Sequence, residues 1–113
     1  MDDIILVNGV RYHAEKEKSK HPYVIVRSAE AGVFFGELGE RNGTTVLMYS
    51  SRRLWYWSGA ASLSELSVKG VKNPSDCKFP ITVEDHEIFN VCEILQVTEE
   101  ARKSINSVPV WSA

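Results

Sequence analysis

Cysteine is scarce in this chain of 113 residues, and nothing in its placement indicates a metal site. Cys77 and Cys92 form no CxxC pair, and no histidine stands beside either of them. A structural zinc site takes four ligands at short spacings. We therefore expect two plain buried thiols rather than a disulfide or a metal site, and no cofactor.

Long apolar runs are also absent. No stretch approaches the roughly 20 apolar residues that cross a bilayer as a helix. The opening Met1-Asp2-Asp3 lacks the basic start of a secretion signal. These absences predict a protein without a membrane partner, located in a reducing cytoplasm.

The sequence has no surplus of basic residues. It carries 13 Lys and Arg against 15 Asp and Glu, a formal net charge of −2. Proteins that coat DNA or RNA depend on many Lys and Arg side chains that displace counterions from phosphates. The composition therefore argues against a polymeric nucleic acid as partner, but it permits a small pocket with locally concentrated arginine.

Familiar catalytic motifs are missing as well. The chain contains no GxSxG, no HExxH and no phosphate-binding glycine loop. The run Glu84-Asp85-His86-Glu87 could in principle bind a divalent cation, but an isolated acidic run is more often solvated. We expect no catalytic residue, no metal ligand and no enzyme activity.

The length and composition predict one domain over residues 1–113. Hydrophobic residues make up 43% of the chain and charged residues 25%, without a repeat or a linker that would divide it. A domain of this size has a modest core, so self-association is a reasonable way to bury more surface.

Patterns in the first half predict β-strands joined by short turns. Residues 4–12 resemble a hairpin around Asn8-Gly9, and residues 13–22 form a polar stretch that we expect to be a flexible loop. The strands that follow are predicted for Tyr23–Arg27, residues 31–38 and the segment TTVLMYS, with a turn at residues 41–43. Consecutive strands with short turns indicate an antiparallel meander.

The second half predicts two helices. Residues 60–70 combine a small apolar face with capping-box spacing at Ser62 and Glu65. Residues 81–98 predict one strand or a bent pair, and Thr98 is a suitable N-cap for a terminal helix that ends before Pro109. The predicted fold class is α+β, an antiparallel sheet with one central and one C-terminal helix.

The segment RRLWYW, residues 52–57, is the best candidate for binding chemistry. If it continues as a strand, alternation places Arg53, Trp55 and Trp57 on one side. Arginine can hold a phosphate with two hydrogen bonds, and an aromatic ring offers a face on which a base stacks. The alternative is an ordinary strand, in which one arginine pairs with Glu37 or Glu40 across the sheet.

Other basic, aromatic and amide residues stand near predicted turns and ends. Together they supply cations for phosphates, a ring for stacking and an amide for a base edge. Ordinary explanations are open too, since an arginine can offset nearby carboxylates and a phenylalanine can belong to the core. The residues are Arg27, Lys78-Phe79, Phe89-Asn90 and Arg102-Lys103.

A resemblance rests on the stretches YVIVRSAEAGVFFGELGERNG, RRLWYWSGAASLSELSVKGVKNPSDCKF and VPVW. Over about residues 21–111 the chain resembles a family of small phage and prophage proteins. It looks like the Thoeris anti-defence sponge proteins, which sequester cyclic ADP-ribose isomers and, in some members, cyclic oligonucleotides of CBASS systems. Such proteins assemble as homo-oligomers, from dimers up to hexamers.

The resemblance implies a non-catalytic sponge for cyclic nucleotide immune signals, acting in the cytoplasm of a host bacterial cell. Its implied ligand contacts are Arg27, Arg53, Phe79, Asn90 and Arg102, with Arg52 as an alternative to Arg53 and with Trp55 and Trp57 as stacking or interface groups. The second hypothesis is a protein-binding module that docks on a host protein through its Trp-rich face, since exposed aromatic residues are favoured interface anchors.

Overall fold

A computed structural model describes residues 4–7, 10–13 and 21–113 of the chain. The first two ranges are strands β1 (Ile4–Val7) and β2 (Val10–His13), which pair antiparallel. The two strands of the predicted hairpin are therefore present. Its Asn8-Gly9 turn lies outside the described residues, and so do residues 14–20 of the predicted loop.

The remaining elements form the α+β fold that the sequence predicts. Five strands make one antiparallel sheet in the order β6-β5-β4-β3-β7, accompanied by one central and one C-terminal helix. A short 3₁₀ turn, Pro74–Asp76, follows the first helix. The elements are β3 (Tyr23–Ser28), β4 (Gly32–Asn42), β5 (Thr45–Arg53), α1 (Leu63–Lys69), β6 (Thr82–Ile88), β7 (Val91–Gln96) and α2 (Glu99–Asn106).

The sheet is strongly curled. Strands β6 and β7 lie at its opposite edges, yet only Phe89 and Asn90 join them. The edge strands of a flat five-stranded sheet would lie about 19 Å apart, whereas Ile88 and Val91 can be separated by at most about 11 Å. The two edges must therefore approach each other at this end, which gives the sheet a concave and a convex face.

Each face of the sheet carries its own core. The concave core consists of strand residues that pack against one another across the curl: Val24, Val26, Phe34, Val46, Met48 and Ile88. The convex core lies between the sheet and the helices: Ile25, Phe35, Leu54, Leu66, Val71, Cys77, Phe79, Ile105 and Val108. Both helices are therefore on the convex side.

The helix signals in the sequence are confirmed. The Ser62 hydroxyl accepts a hydrogen bond from the Glu65 amide at 3.2 Å, and the Glu65 carboxylate accepts one from the Ala61 amide at 2.7 Å. The central helix begins at Leu63, three residues later than predicted. At the terminal helix, the Thr98 hydroxyl accepts from the Ala101 amide at 3.0 Å, as expected of an N-cap.

The prediction that RRLWYW continues as a strand is wrong beyond its first two residues. Strand β5 ends at Arg53, and the following segment adds one backbone hydrogen bond from Leu54 to Val33 and an isolated bridge between Tyr56 and Lys78. Residues 81–98 form a pair of strands, β6 and β7, so the acidic run at residues 84–87 lies within β6. Among the described residues, no helix is long and apolar enough to span a membrane.

The two cysteines differ in exposure. Both are free thiols, with Cys77 buried in the convex core and Cys92 exposed on β7. The prediction of two buried thiols is therefore wrong for Cys92, because its side chain lies on an edge strand. Within the described ranges, no group of three or more His, Cys, Asp and Glu side chains is placed to hold a metal ion.

Candidate ligand cleft

A cleft of about 420 Å³ opens beside the end of β5. This volume is within the range of roughly 300–1,000 Å³ that is typical of small-molecule sites. Strands β5 and β6 and the segment that leads into β6 form its walls. The lining residues are Ser51, Arg53, Pro80, Ile81, Val83, Asp85 and His86.

Arg53 supplies the fixed positive charge of this cleft. Its guanidinium lies over the ring of Phe34, 4.5 Å from the ring centre, and its Nη1 donates to the Ala31 carbonyl at 2.6 Å. In the part of the chain that the structure describes, no carboxylate forms an ion pair with it. A guanidinium has five N–H donors, so Arg53 keeps N–H groups that can donate hydrogen bonds to a phosphate.

His86 lies beside Arg53 as a neutral group. Its Nδ1 is 3.0 Å from the Ser51 hydroxyl oxygen. Its ring packs edge-on against the Phe34 ring, with 4.8 Å between the two ring centres. Burial lowers the pKa of His86, and the Arg53 charge lowers it further. At neutral pH the cleft therefore combines one permanent cation with an uncharged imidazole, and its lining also includes the acidic side chain of Asp85.

The Ser51–His86 pair is poorly suited to attack a ligand. Ser51 is only 1% exposed, so a substrate atom cannot approach its hydroxyl without a rearrangement of the strand. The hydrogen bond instead fixes the orientation of the imidazole ring. The arrangement can bind an anion through Arg53 and exchange a further hydrogen bond through His86.

Arg52, which the sequence left open as an alternative to Arg53, does not line the cleft. Neighbouring strand residues point to opposite faces, and Arg53 occupies the concave side. Arg52 therefore points into the convex core, where its guanidinium donates to backbone carbonyl groups only. The four acceptors are Phe79, Pro80, Ile105 and Val108.

The predicted aromatic wall beside Arg53 is also wrong. Because β5 ends at Arg53, the strict alternation stops there, and Trp57 packs against the convex core. Trp55 is 63% exposed and is not among the residues that line the cleft. Phe79 is completely buried in the convex core, so its ring is not available for stacking on a ligand.

Asn90 has a local structural role. It lies in the turn between β6 and β7 with a φ of 57°, and its side-chain amide donates to the Glu30 carboxylate at 2.6 Å. Asparagine is one of the few residues that tolerate this left-handed conformation. The contact ties the β6–β7 turn to the turn between β3 and β4.

Arg27 and Arg102 lie outside the cleft and are already ion-paired. Arg27 bonds Glu93 at 2.9 Å, and this hydrogen bond raises the pKa of Arg27. Arg102 pairs with Glu99 and lies 5.4 Å from the centre of the Tyr23 ring. Within one chain, the predicted ligand contacts therefore do not lie together. Of these residues, only Arg53 lines the cleft.

The sequence did not single out Ser51 or the cleft wall of Pro80 and Ile81, and it considered His86 only as a possible metal ligand. The missing information was the register of β5 against β6, which pairs Ser51 with Val83 and Met48 with His86. Alternation does place Ser51 and Arg53 on the same side of a strand. The sequence offered no signal, however, that β6 would lie next to β5.

Exposed apolar side chains lie on three segments that contact one another: the segment after β5, the segment that leads into β6 and the segment after α2. We call this set of residues the aromatic surface, and it comprises Trp55, Tyr56, Ile81, Val110 and Trp111. Backbone contacts link its segments, since Tyr56 bridges to Lys78 and Phe79 bridges to Val110. The Lys78 ammonium lies 5.9 Å from the centre of the Tyr56 ring and 5.6 Å from that of Trp111.

A comparison with protein families finds a match to one family model over residues 21–105, described as a domain of unknown function, DUF6948. The match includes the whole five-stranded sheet and nearly all of the terminal helix. No curated protein and no solved structure matches the chain.

Proposed function

The chain belongs to the DUF6948 family, whose function is unassigned, and we propose that it is a non-catalytic binding protein that sequesters small cyclic nucleotides. Cyclic ADP-ribose isomers are the proposed ligands, together with cyclic oligonucleotides. In this proposal the protein acts as a phage-type sponge in the cytoplasm of a host bacterium and antagonises Thoeris or CBASS defence.

The observation that carries the proposal is the position of Arg53. Its guanidinium stands in a cleft of about 420 Å³, and among the described residues it bonds only to the carbonyl of Ala31. A half-buried cation with free donors is suited to a phosphate or pyrophosphate group, which accepts hydrogen bonds from the planar guanidinium. His86 offers a neutral ring nitrogen for a sugar or base.

Binding without turnover agrees with the chemistry of the cleft. A sponge needs a preformed site and no group that attacks its ligand. The serine hydroxyl in the cleft is buried and bonded to His86. The net charge of −2 also fits a protein that binds a small anion locally and leaves nucleic-acid polymers alone.

We also propose that the protein is a homo-oligomer. Trp55, Tyr56 and Trp111 are 63%, 51% and 43% exposed on the aromatic surface, and such apolar patches mark interaction sites. Arg27, Asn90 and Arg102 do not line the cleft of their own chain. Their predicted ligand contacts would therefore be made to a ligand held by a second copy.

Recovery of the ligand tests binding against turnover. The protein is incubated with cyclic ADP-ribose isomers, heated to denature it, and the released compound is identified by mass spectrometry. Native mass spectrometry of an unheated portion of the mixture gives the subunit number and the bound stoichiometry. The proposal expects intact ligand in a defined ratio to protein, whereas a linear product would show an enzyme and no bound ligand would refute the proposal.

A second function, a module that docks on a host protein, is favoured by the exposure of the aromatic surface. Large aromatic side chains with a central cation are common anchors in protein interfaces. This candidate expects no thermal shift with any cyclic nucleotide. A true ligand at about 100 times its dissociation constant should stabilise the fold by roughly 2.7 kcal/mol.

A further inference from the structure

Arg52 is almost completely buried although it carries a fixed charge. Its side chain is only 5% exposed, and burial lowers the pKa of Arg52, but a guanidinium stays charged at neutral pH. Four hydrogen bonds of 2.6 to 3.1 Å engage its Nε and both of its terminal nitrogens, and so use four of its five N–H donors. A buried charge is tolerated when its donors are satisfied in this way.

The acceptors belong to two segments outside the sheet ladder. Phe79 and Pro80 precede β6, and the pairing of β6 with β5 begins only at Thr82, opposite Arg52. Ile105 and Val108 lie at the end of α2 and just beyond it. The two segments therefore depend on the Arg52 side chain for a polar connection to β5.

One of these segments is a wall of the cleft. Pro80 and Ile81 line it, and Pro80 has no N–H group with which to join the ladder. Arg52 holds the Pro80 carbonyl at 3.1 Å through Nε and the Phe79 carbonyl at 3.1 Å through Nη2. The next residue in the chain, Arg53, stands in the space that this wall encloses.

We propose that Arg52 is a positioning residue of the cleft, which fixes the Pro80–Ile81 wall against β5 while Arg53 contacts the ligand. The proposal rests on the ligand-binding function proposed above. It assigns different tasks to two adjacent arginines: the exposed one recognises an anion, and the buried one maintains the shape of the site. Loss of Arg52 bonds should therefore weaken binding in a protein that is still folded.

Arg52→Lys tests this assignment. Lysine keeps the charge, but its single nitrogen cannot reach the same set of carbonyls. The matched control is Leu66→Ala, which removes buried volume from the convex core at α1 and does not line the cleft. Both variants are measured below their unfolding transitions, so that each is fully folded.

The readouts are titration calorimetry with cyclic ADP-ribose and the ¹⁵N NMR signals of Ile81 and Val83. We expect Arg52→Lys to raise the Kd for cyclic ADP-ribose about fivefold, because the loosened wall must be ordered when the ligand binds. We also expect the substitution to shift or broaden both NMR signals. The control should leave Kd and both signals unchanged. If Arg52→Lys does not fold, Pro80→Gly loosens the same wall and should give the same result.

Failure of this proposal is distinct from failure of the proposed function. If the wild-type protein binds the ligand and Arg52→Lys matches the Leu66→Ala control, Arg52 has no positioning role although the binding function stands. If the wild-type protein does not bind, the binding function fails. Unchanged Ile81 and Val83 signals in Arg52→Lys would then also refute a role in fixing the wall.

Discussion

The guanidinium of Arg53 lies 4.5 Å from the centre of the Phe34 ring, and this ring is also the one that His86 contacts edge-on. Phe34 is completely buried in the concave core. One aromatic ring therefore supports both polar groups of the cleft from below. A cation over a ring face gains an electrostatic attraction that an aliphatic side chain cannot supply.

Replacement of this ring should weaken both the core and the site. Phe34→Leu keeps an apolar side chain but leaves a small cavity and removes the ring face under Arg53. We expect it to lower the free energy of unfolding by about 1–3 kcal/mol and to raise the Kd for cyclic ADP-ribose. Urea unfolding measures the first effect, and the exposed Phe89→Leu is the control that should change neither quantity.

The pH dependence of stability should contain a contribution from His86. Folding lowers the pKa of His86, so below about pH 6.5 the unfolded chain binds more protons than the folded chain. Stability should therefore fall as the pH drops from 7 to 5. His86→Gln removes the titrating group, and its urea midpoint should change less over this interval. An equal pH dependence in both proteins would contradict the neutral state of His86.

The register of β4 against β5 shifts between Phe35 and Glu37, and this irregularity should depend on the missing side chain at Gly36. Ser50 has a φ of 52°, and a Cβ atom at Gly36 would lie 2.9 Å from the carbonyl oxygens of Tyr49 and Ser50. Gly36→Ala should therefore force the two strands apart and destabilise the fold by about 2 kcal/mol or more.

Gly43→Asn is the matched substitution in the β4–β5 turn. Gly43 has a φ of 63°, a conformation that asparagine tolerates, and a Cβ atom added there would have no neighbour within 4 Å. The substitution should leave the thermal midpoint almost unchanged. Similar losses at Gly36 and Gly43 would contradict the account of close strand approach.

Arg27 and Arg102 test whether a second copy of the chain completes the site. Both side chains form surface ion pairs, which contribute little to stability. Arg27→Ala and Arg102→Ala should therefore weaken capture of cyclic ADP-ribose with nearly unchanged thermal midpoints. Unchanged capture in both variants would remove these residues from the ligand site.

Local signals predicted the elements of this fold better than the site. Ser62 and Thr98 identify helix starts through chemistry within four residues, and β-branched runs identify β3. Alternation shows that Arg52 and Arg53 face opposite sides, but only packing determines which of them faces the helices. The Ser51–His86 contact spans 35 residues, so it depends on strand order, which the sequence does not encode locally.

The proposed function rests on one claim, that Arg53 holds the anionic part of a small cyclic nucleotide. The most direct measurement is calorimetric titration of Arg53→Gln with cyclic ADP-ribose. The control is Arg41→Gln, because Arg41 is an exposed arginine at the far end of β4. Loss of charged hydrogen bonds should raise Kd by about 10- to 100-fold in Arg53→Gln and leave Arg41→Gln like wild type. Equal Kd values in all three proteins would contradict the claim.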